Sequence, residues 1–536
     1  MMADTLRTSF LDRLVNKHGW FLLLALTALL YLPGSGTLPM MDRDEPRFAH
    51  ATVEMMQRGS WAVPYFNNEY RFDKPPLTYW WMALHYRLMG VSELAARLHT
   101  IFSVWLVSLV LLRWGGFRAG LAWLVTFQVF VHGRLAVADM PMVLFVTLAM
   151  WALSELLKSP RAAWCGWHGL LYASLGLGFL AKGPIAWLVP GIGLILFRFA
   201  FWRKPVTWGA MKIIPGALVT LVIVAAWGVP ALIQTNGAYW NIGMGEHVID
   251  RGTRAFNGRL PLPGYYLVTA LLSLFPWMAL LPDVWRHVRK EWDVQQAFLV
   301  SWFAAPYLIF TLYATQLPHY VMPGFPAAIL LMTQAKVKAS GRWFWFVMGL
   351  WVLISIAATA LAFGFHWPSG LGTVLRQGAM LVAAVTMMGF LLLKQYRAWI
   401  AMVLLVAWQC QEVSAAIRSV HAGAQLAMDV NASDRLVSCQ FNEPSLVFHF
   451  DHAWKFTSKH RDLERELSKP ETRFAIVLKR EWTLAGLLKS SGATTDESKI
   501  VEALAARHAE FSAHTVEVFN AARSSWAELL VLQRGK

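Results

Sequence analysis

Charge is scarce in this sequence. Asp, Glu, Lys and Arg together make up 15% of 536 residues, against about a quarter in a typical soluble domain. That excludes the string of soluble domains that length alone would suggest. Acid is scarcer than base: 32 Asp and Glu face 48 Lys and Arg, a formal net charge of +16. Cysteine is nearly absent. Cys165, Cys410 and Cys439 cannot build a disulfide framework, and no paired-cysteine metal motif occurs. One bond, between Cys410 and Cys439, stays open. No internal repeat is visible, which counts against a transporter assembled from inverted repeats.

Apolar residues are plentiful instead, at 57%, with 28 Trp and a mean hydropathy of +0.43. Runs suited to the ~30 Å hydrocarbon core recur along most of the chain. The first half gives Gly19–Leu32, Ala95–Leu112, Gly120–Gly133, Pro141–Leu157, Trp167–Ala181 and Ile185–Trp202. The second gives Ile213–Ile233, Pro263–Leu281, Phe298–Tyr313, Val321–Thr333, Trp343–Phe365, Ala379–Leu393 and Trp399–Ala416. These predict an all-α polytopic membrane protein with about 13 crossings. They must be helices, because an isolated strand leaves its backbone unsatisfied in lipid.

Basic residues set the orientation. Arg7, Arg13 and Lys17 precede the first span, and every even-numbered span exits into basic residues, such as Arg113 and Arg118 or Arg203 and Lys204. The N-terminus is therefore expected in the cytoplasm and the C-terminus outside. The positive charge is partly this topology signal, so no nucleic-acid partner is expected. The first span resembles a signal peptide without a small-residue cleavage site and is expected to remain as an anchor.

Two segments break the pattern. Residues 1–429 read as the membrane domain, but its first outer loop, 33–94, is too long for a connector. Within it Glu45–Arg58 and Pro76–Leu88 read as helices lying in the interface. Residues 430–536 turn soluble in composition and predict a small α/β domain outside the membrane. Expected strands are Arg435–Ser438, Leu446–His449, Phe474–Leu478 and Glu528–Gln533, with a helix over Lys499–Phe511.

The unusual polar residues fall on one side of this topology. Asp44, Glu45 and Arg47 lie in the first outer loop with Asp73 and Lys74. Asp139 opens the fourth span, and Lys182 closes the fifth. Glu246, His247 and Arg251 follow the seventh, and His319 and Tyr320 the ninth. Each has a plain role open to it: Asp44 or Asp139 as a helix cap, Lys74 snorkelling to headgroups, His247 as an ordinary loop histidine. Together on one face they predict a single polar cavity, since ionisable groups at membrane depth are usually functional.

The patterns Asp-Glu-Pro-Arg at 44–47 and Asp-Lys-Pro-Pro at 73–76 resemble the polyprenyl-phosphate-sugar-dependent membrane glycosyltransferases. These include bacterial relatives of protein O-mannosyltransferases and the aminoarabinose transferases of lipid A. Ala-Lys-Gly at 181–183, Glu-His at 246–247 and Leu-Pro-His-Tyr at 317–320 follow in the family's order. The resemblance extends to about residue 335. It implies a GT-C fold and a sugar donor carried on undecaprenyl phosphate, used at the periplasmic face of a bacterial inner membrane. The acceptor it implies first is lipid A or another lipopolysaccharide component, then a protein hydroxyl, then another glycan. It places Lys74, Lys182, Arg251 and Tyr320 at the donor phosphate, where cations stabilise the leaving charge. Asp44 and Asp139 take catalytic positions; a carboxylate there can deprotonate a hydroxyl. Glu45, Arg47, Glu246 and His319 are further candidates. Some relatives hold a metal between the acid before the first-loop Lys and the loop His, here Asp73 and His247, and zinc accepts both ligand types. The chain departs from the aminoarabinose transferases at Asp73, usually Glu, and at Asp250, usually Arg. It also has Ala314 and Gln316 where Lys is common. A lipid-linked sugar flippase is the alternative class; it predicts ionisable groups at the midplane rather than at one face.

Overall fold

The structure, a computed structural model, describes residues 10–535 except 42, 162, 203–206, 251–261, 263, 336–340, 395–398, 427, 484–507, 509, 521–522 and 524. The first half builds α1 (Phe10–Tyr31), α2 (Glu45–Arg58), α3 (Leu77–Met89), α4 (Glu93–Gly115), α5 (Phe117–Leu124) and α6 (Phe127–His132). It continues through α7 (Asp139–Lys158), α8 (Gly166–Lys182), α9 (Ile185–Leu196) and α10 (Ile213–Gln234). The second half adds α11 (Tyr265–Ser273), α12 (Leu281–Lys290), α13 (Val294–Thr311), α14 (Phe325–Gln334), α15 (Arg342–Gly364), α16 (Ser369–Lys394) and α17 (Trp399–Val420).

Among the described residues six helices are long and apolar enough to cross a membrane. A bent pair, α11 with Trp277–Lys290, turns through 106° and would make a seventh; Lys17–Tyr31 and Ile185–Phe201 are shorter apolar helices. Three of the about 13 expected spans are interrupted or short. The third is split into α5 and α6, the eighth bends at its break, and the tenth is only ten helical residues after a tight turn at Pro318–Gly324. At the first break the freed groups find partners in a neighbour. Phe127 N donates to Phe275 O at 3.0 Å, and Trp277 Nε1 donates to Thr126 Oγ1 at 2.9 Å. Irregular backbone at such depth is tolerated only where protein satisfies it.

The two helices read in the first outer loop are present. Pro46 sits in the first turn of α2, where its missing N–H is harmless, and Gly59 ends it at φ 65°. The inner face of α2 and α3 buries Phe48, Met55, Tyr79 and Met82 against Ala95 and Ala136. Between them lies a two-residue ladder, β1 (Tyr65–Phe66) with β2 (Glu69–Tyr70).

The C-terminal sheet comprises β3 (Arg435–Cys439), β4 (Trp454–Thr457), β5 (Thr472–Thr483), β6 (Phe511–Asn520) and β7 (Ser525–Arg534). Its order is β4-β3-β5-β7-β6, with β3 parallel to β4 and β5 and the rest antiparallel. Alternate residues face opposite ways. Leu436, Phe474 and Ile476 enter one core; Val437, Ala475 and Val477 enter the other. Two expectations are corrected. Leu446–His449 is part of a helix, Pro444–Phe450, started by its proline and burying Leu446 and Val447. Phe511 opens a strand rather than closing a helix, while 499–507 lie outside the described residues. Cys410 and Cys439 are both buried and share no disulfide, so the bond left open does not form.

This domain rests on the first outer loop. Asn67 donates to Trp454 O at 2.9 Å and accepts from Trp454 N at 2.8 Å, and Phe66 packs on the sheet core.

Candidate functional site

Asp139 is the first residue of α7 and Lys182 the last of α8. A carboxylate at a helix N-terminus and an ammonium at a C-terminus both suit the helix dipole. The two ends meet, with Lys182 Nζ 2.5 Å from Asp139 Oδ1. The Lys182 ammonium also sits over the Tyr320 ring, 5.5 Å from its centroid. His319 Nε2 approaches the same Asp139 oxygen at 3.8 Å, and its ring lies 4.4 Å from that of His132. His319 is in the turn after α13, where burial pushes its pKa down to about 4. It is therefore neutral at pH 7 and leaves the Asp139 charge to Lys182.

The first outer loop supplies a second charged group. Asp73 is paired on one oxygen with Arg71 Nη2 at 3.0 Å and on the other with Lys74 Nζ at 3.1 Å. Arg71 Nε also donates to Tyr79 Oη at 3.0 Å. Burial works against the Arg71 charge, but Tyr79, Asp73 and Asp44 outweigh it and raise its pKa above the ordinary value.

These groups border a cavity of about 380 Å³. Its polar end carries Asp73, Lys74, Asp139, Lys182 and Tyr320. Its other walls are apolar, from Leu188 on α9, Leu221, Val224, Val229 and Leu232 on α10, and Ile309 on α13. Leu221, Val229, Leu232 and Leu188 are also exposed on the outside of the bundle, so the apolar part reaches the surface that would face lipid. Trp227 fixes α10 to the outer loop through Nε1 to Ala62 O, 2.7 Å. An ionic end and an apolar trough open to lipid can hold an anionic head with a long hydrocarbon tail.

The sequence placed all its candidates in one cavity, and the structure divides them. Lys74, Asp73, Asp139, Lys182 and Tyr320 are brought together. Asp44, Glu45 and Arg47 do not line this cavity. Asp44 makes no capping bond within the described residues; it is 55% exposed and 3.9 Å from Arg47. Glu45 is buried and fully engaged, so it is corrected from a site candidate to a group inaccessible to substrate. His319 lies behind Asp139. Arg251 lies outside the described residues, as do the side chains of Glu246 and His247. The segment that bears the last two, Tyr239–Asp250, still contributes Tyr239, Trp240 and Gly243 to the wall. His132 and Arg97 were missed because each sits inside an apolar run and was read as span. A charge within a span was the available signal for Arg97.

A family model for dolichyl-phosphate-mannose-protein mannosyltransferase matches residues 73–229. An undecaprenyl phosphate-alpha-4-amino-4-deoxy-L-arabinose arabinosyl transferase of Yersinia pestis is 31% identical over 339 residues, 60% of this chain and 59% of that protein. A second such transferase from Sodalis glossinidius is 29% identical over 60% of each chain. The match thus spans about 59% of the length of the Yersinia relative. ArnT from Cupriavidus metallidurans bound to undecaprenyl phosphate superposes over 96% of this chain and 98% of its own, with a TM-score of 0.73 and 19% identity. The chain has a GT-C fold. In sequence it resembles the polyprenyl-phosphate-sugar-dependent membrane glycosyltransferases, as its motifs suggested. This GT-C protein also shares architecture with an Archaeoglobus fulgidus oligosaccharyltransferase, at a TM-score of 0.50, 11% identity and coverage of 87% and 70%.

Proposed function

We propose that this protein transfers a sugar from undecaprenyl phosphate to lipid A or another lipopolysaccharide component. The reaction takes place at the periplasmic face of a bacterial inner membrane. The observation that carries this is the cavity, with two cations at one end and an apolar trough open to lipid at the other. The relatives' own names specify an aminoarabinose donor, which makes a pentosyl donor the first to test.

The chemistry follows from charge. The bond from the anomeric carbon to the phosphate oxygen breaks, and its electron pair stays on undecaprenyl phosphate. Lys74 and Lys182 stand where that added negative charge collects. The acceptor oxygen attacks from the opposite face, inverting the carbon. A phosphate acceptor is already ionised and needs no base. A hydroxyl acceptor gives its proton to a carboxylate, and exposed Asp44, outside the donor cavity and 3.9 Å from Arg47, is the candidate on the acceptor side, because Asp139 is held by Lys182. Arg251 at the donor phosphate, Glu246 as a further site residue and His247 as a metal ligand stay candidates on the resemblance alone.

A zinc ion at Asp73 and His247 fits the residues poorly. Both Asp73 oxygens already face cations, Arg71 and Lys74, and a divalent ion there would meet their repulsion. No step is routed through it. Metal analysis of the purified protein tests this, with less than about 0.1 equivalent expected. In the bilayer the shorter helices would complete about 13 crossings, with the N-terminus cytoplasmic and the C-terminal domain periplasmic.

The test is transfer by purified protein from defined undecaprenyl-phosphate sugars to lipid A, read by mass spectrometry. Lys74→Ala is expected to weaken donor use by roughly 100-fold. A wild-type protein that transfers no pentose or hexose to any lipopolysaccharide component would overturn the reading.

A further inference from the structure

We infer that Glu45 and Arg97 form a positioning clamp that ties the segment bearing Asp44 to the turn that opens α7 at Asp139. The inference deepens the transfer reading above and rests on it for its kinetic consequence, but not for its geometry.

Both groups are buried with no exposed area. Arg97 has five N–H donors, and each has an acceptor. Nε reaches Glu45 Oε1 at 2.6 Å, and Nη2 reaches Glu45 Oε2 at 2.8 Å and Pro39 O at 2.9 Å. Nη1 reaches Ser35 O and Leu38 O, both at 2.6 Å. Glu45 is equally full. Beyond the two Arg97 bonds, Oε2 accepts from Met41 N at 2.6 Å and Oε1 from Ala136 N at 2.8 Å.

Each of those bonds holds a different piece of the site. Glu45 directly follows Asp44. Ala136 is three residues before Asp139 and belongs to the turn that starts α7. Arg97, on α4, gathers the backbone at 35–39 that leads into α2. One ion pair therefore joins the two carboxylate-bearing segments, although neither member touches the cavity. Stability alone is a weak reason for such a pair, since well-packed apolar residues often replace a buried ion pair without loss. Fixing one arrangement of polar groups is the use that an apolar pair cannot serve.

Two variants test this. Glu45→Gln keeps the side-chain shape but loses the charge and part of the acceptance. The double variant Glu45→Leu with Arg97→Met removes both charges together, so no unpaired charge is left, while the amides of Met41 and Ala136 and the carbonyls of Ser35, Leu38 and Pro39 lose their partners. In the folded double variant kcat is expected to fall roughly 100-fold, the scale of an ångström-sized misplacement, while KM for the donor stays within about twofold of wild type. A folded double variant with wild-type kcat would overturn the inference. So would a drop in kcat that only tracks the folded fraction in both variants.

Hydrogen exchange in Glu45→Gln supplies a readout that needs no substrate and holds even if the double variant does not fold. Faster exchange is expected at Met41 and Ala136, with α4 beyond Arg97 unchanged. Unaltered exchange at both amides would also overturn the clamp. An inactive wild type that still shows the exchange change would strike the transfer reading and leave the clamp standing.

Discussion

Lys182 and Asp139 form the ion pair at the polar end of the cavity. Their contact is partly shielded, with side-chain exposures of 15% and 9%, so its electrostatic weight exceeds that of a surface pair. Lys182→Ala removes a cation from the cavity and leaves Asp139 without its counter-charge. Transfer is expected to fall by roughly 100-fold or more, with part restored in Lys182→Arg; initial rates at saturating donor measure it. A variant as active as wild type would remove Lys182 from the donor site. Tyr320 and Lys74 differ from Lys182 in what they offer: an aromatic face beneath the ammonium, and a second cation held in place by Asp73.

At the scale of elements, α10 decides what kind of molecule enters. It presents Leu221, Val224, Ala225, Gly228, Val229 and Leu232 to the cavity. A Cβ added at Gly228 would meet nothing within 4 Å, so the glycine marks open space in the trough. Gly228→Phe is expected to fold normally and to fill that space. If the trough takes the hydrocarbon tail, affinity for undecaprenyl phosphate drops by about tenfold, near 1.4 kcal/mol. Binding of a short-chain analogue changes little. Titration with the two lipids distinguishes these outcomes, and equal loss for both would place the tail elsewhere.

For the whole molecule, the question is how the C-terminal domain bears on the loop that carries Asp44 and Lys74. The Asn67–Trp454 exchange of hydrogen bonds is one tie. Another contact is buried His50 on α2, 3.5 Å from Glu54 and 3.7 Å from Asp451 of the C-terminal domain. Burial lowers the His50 pKa from 6.5 to about 4. Between these values the unfolded chain binds the extra proton and the folded one does not, so stability falls as pH drops through this window. The contribution of His50 is expected at roughly 1–2 kcal/mol by pH 5. Thermal melts of wild type and His50→Gln at pH 7 and pH 5 check it. The variant should lose less on acidification, and an identical pH slope would rule His50 out.

Much of this was legible in the sequence, and the limits are physical. Helix α2 and helix α3 were found because apolar and charged faces at helical spacing are a local signal. Lys74, Asp139 and Lys182 were found because charges beside apolar runs stand out and their motifs are recognisable. The breaks between α5 and α6 and at Pro318–Gly324 were not, since backbone groups there are satisfied by distant partners that hydropathy does not register. Glu45 looked like a site residue because its neighbour Asp44 does; only its bonds to Arg97, Met41 and Ala136 show it to be inaccessible. The sequence by itself determined the membrane class, the expected side of the chemistry and the residue types available for it, all properties of short stretches of chain. Only tertiary structure decided which of them share a cavity. Lys74, Asp139, Lys182 and Tyr320 come from four separated segments, and it is helix packing that brings them to the wall of one cavity, with Lys182 paired to Asp139, while leaving Asp44 outside.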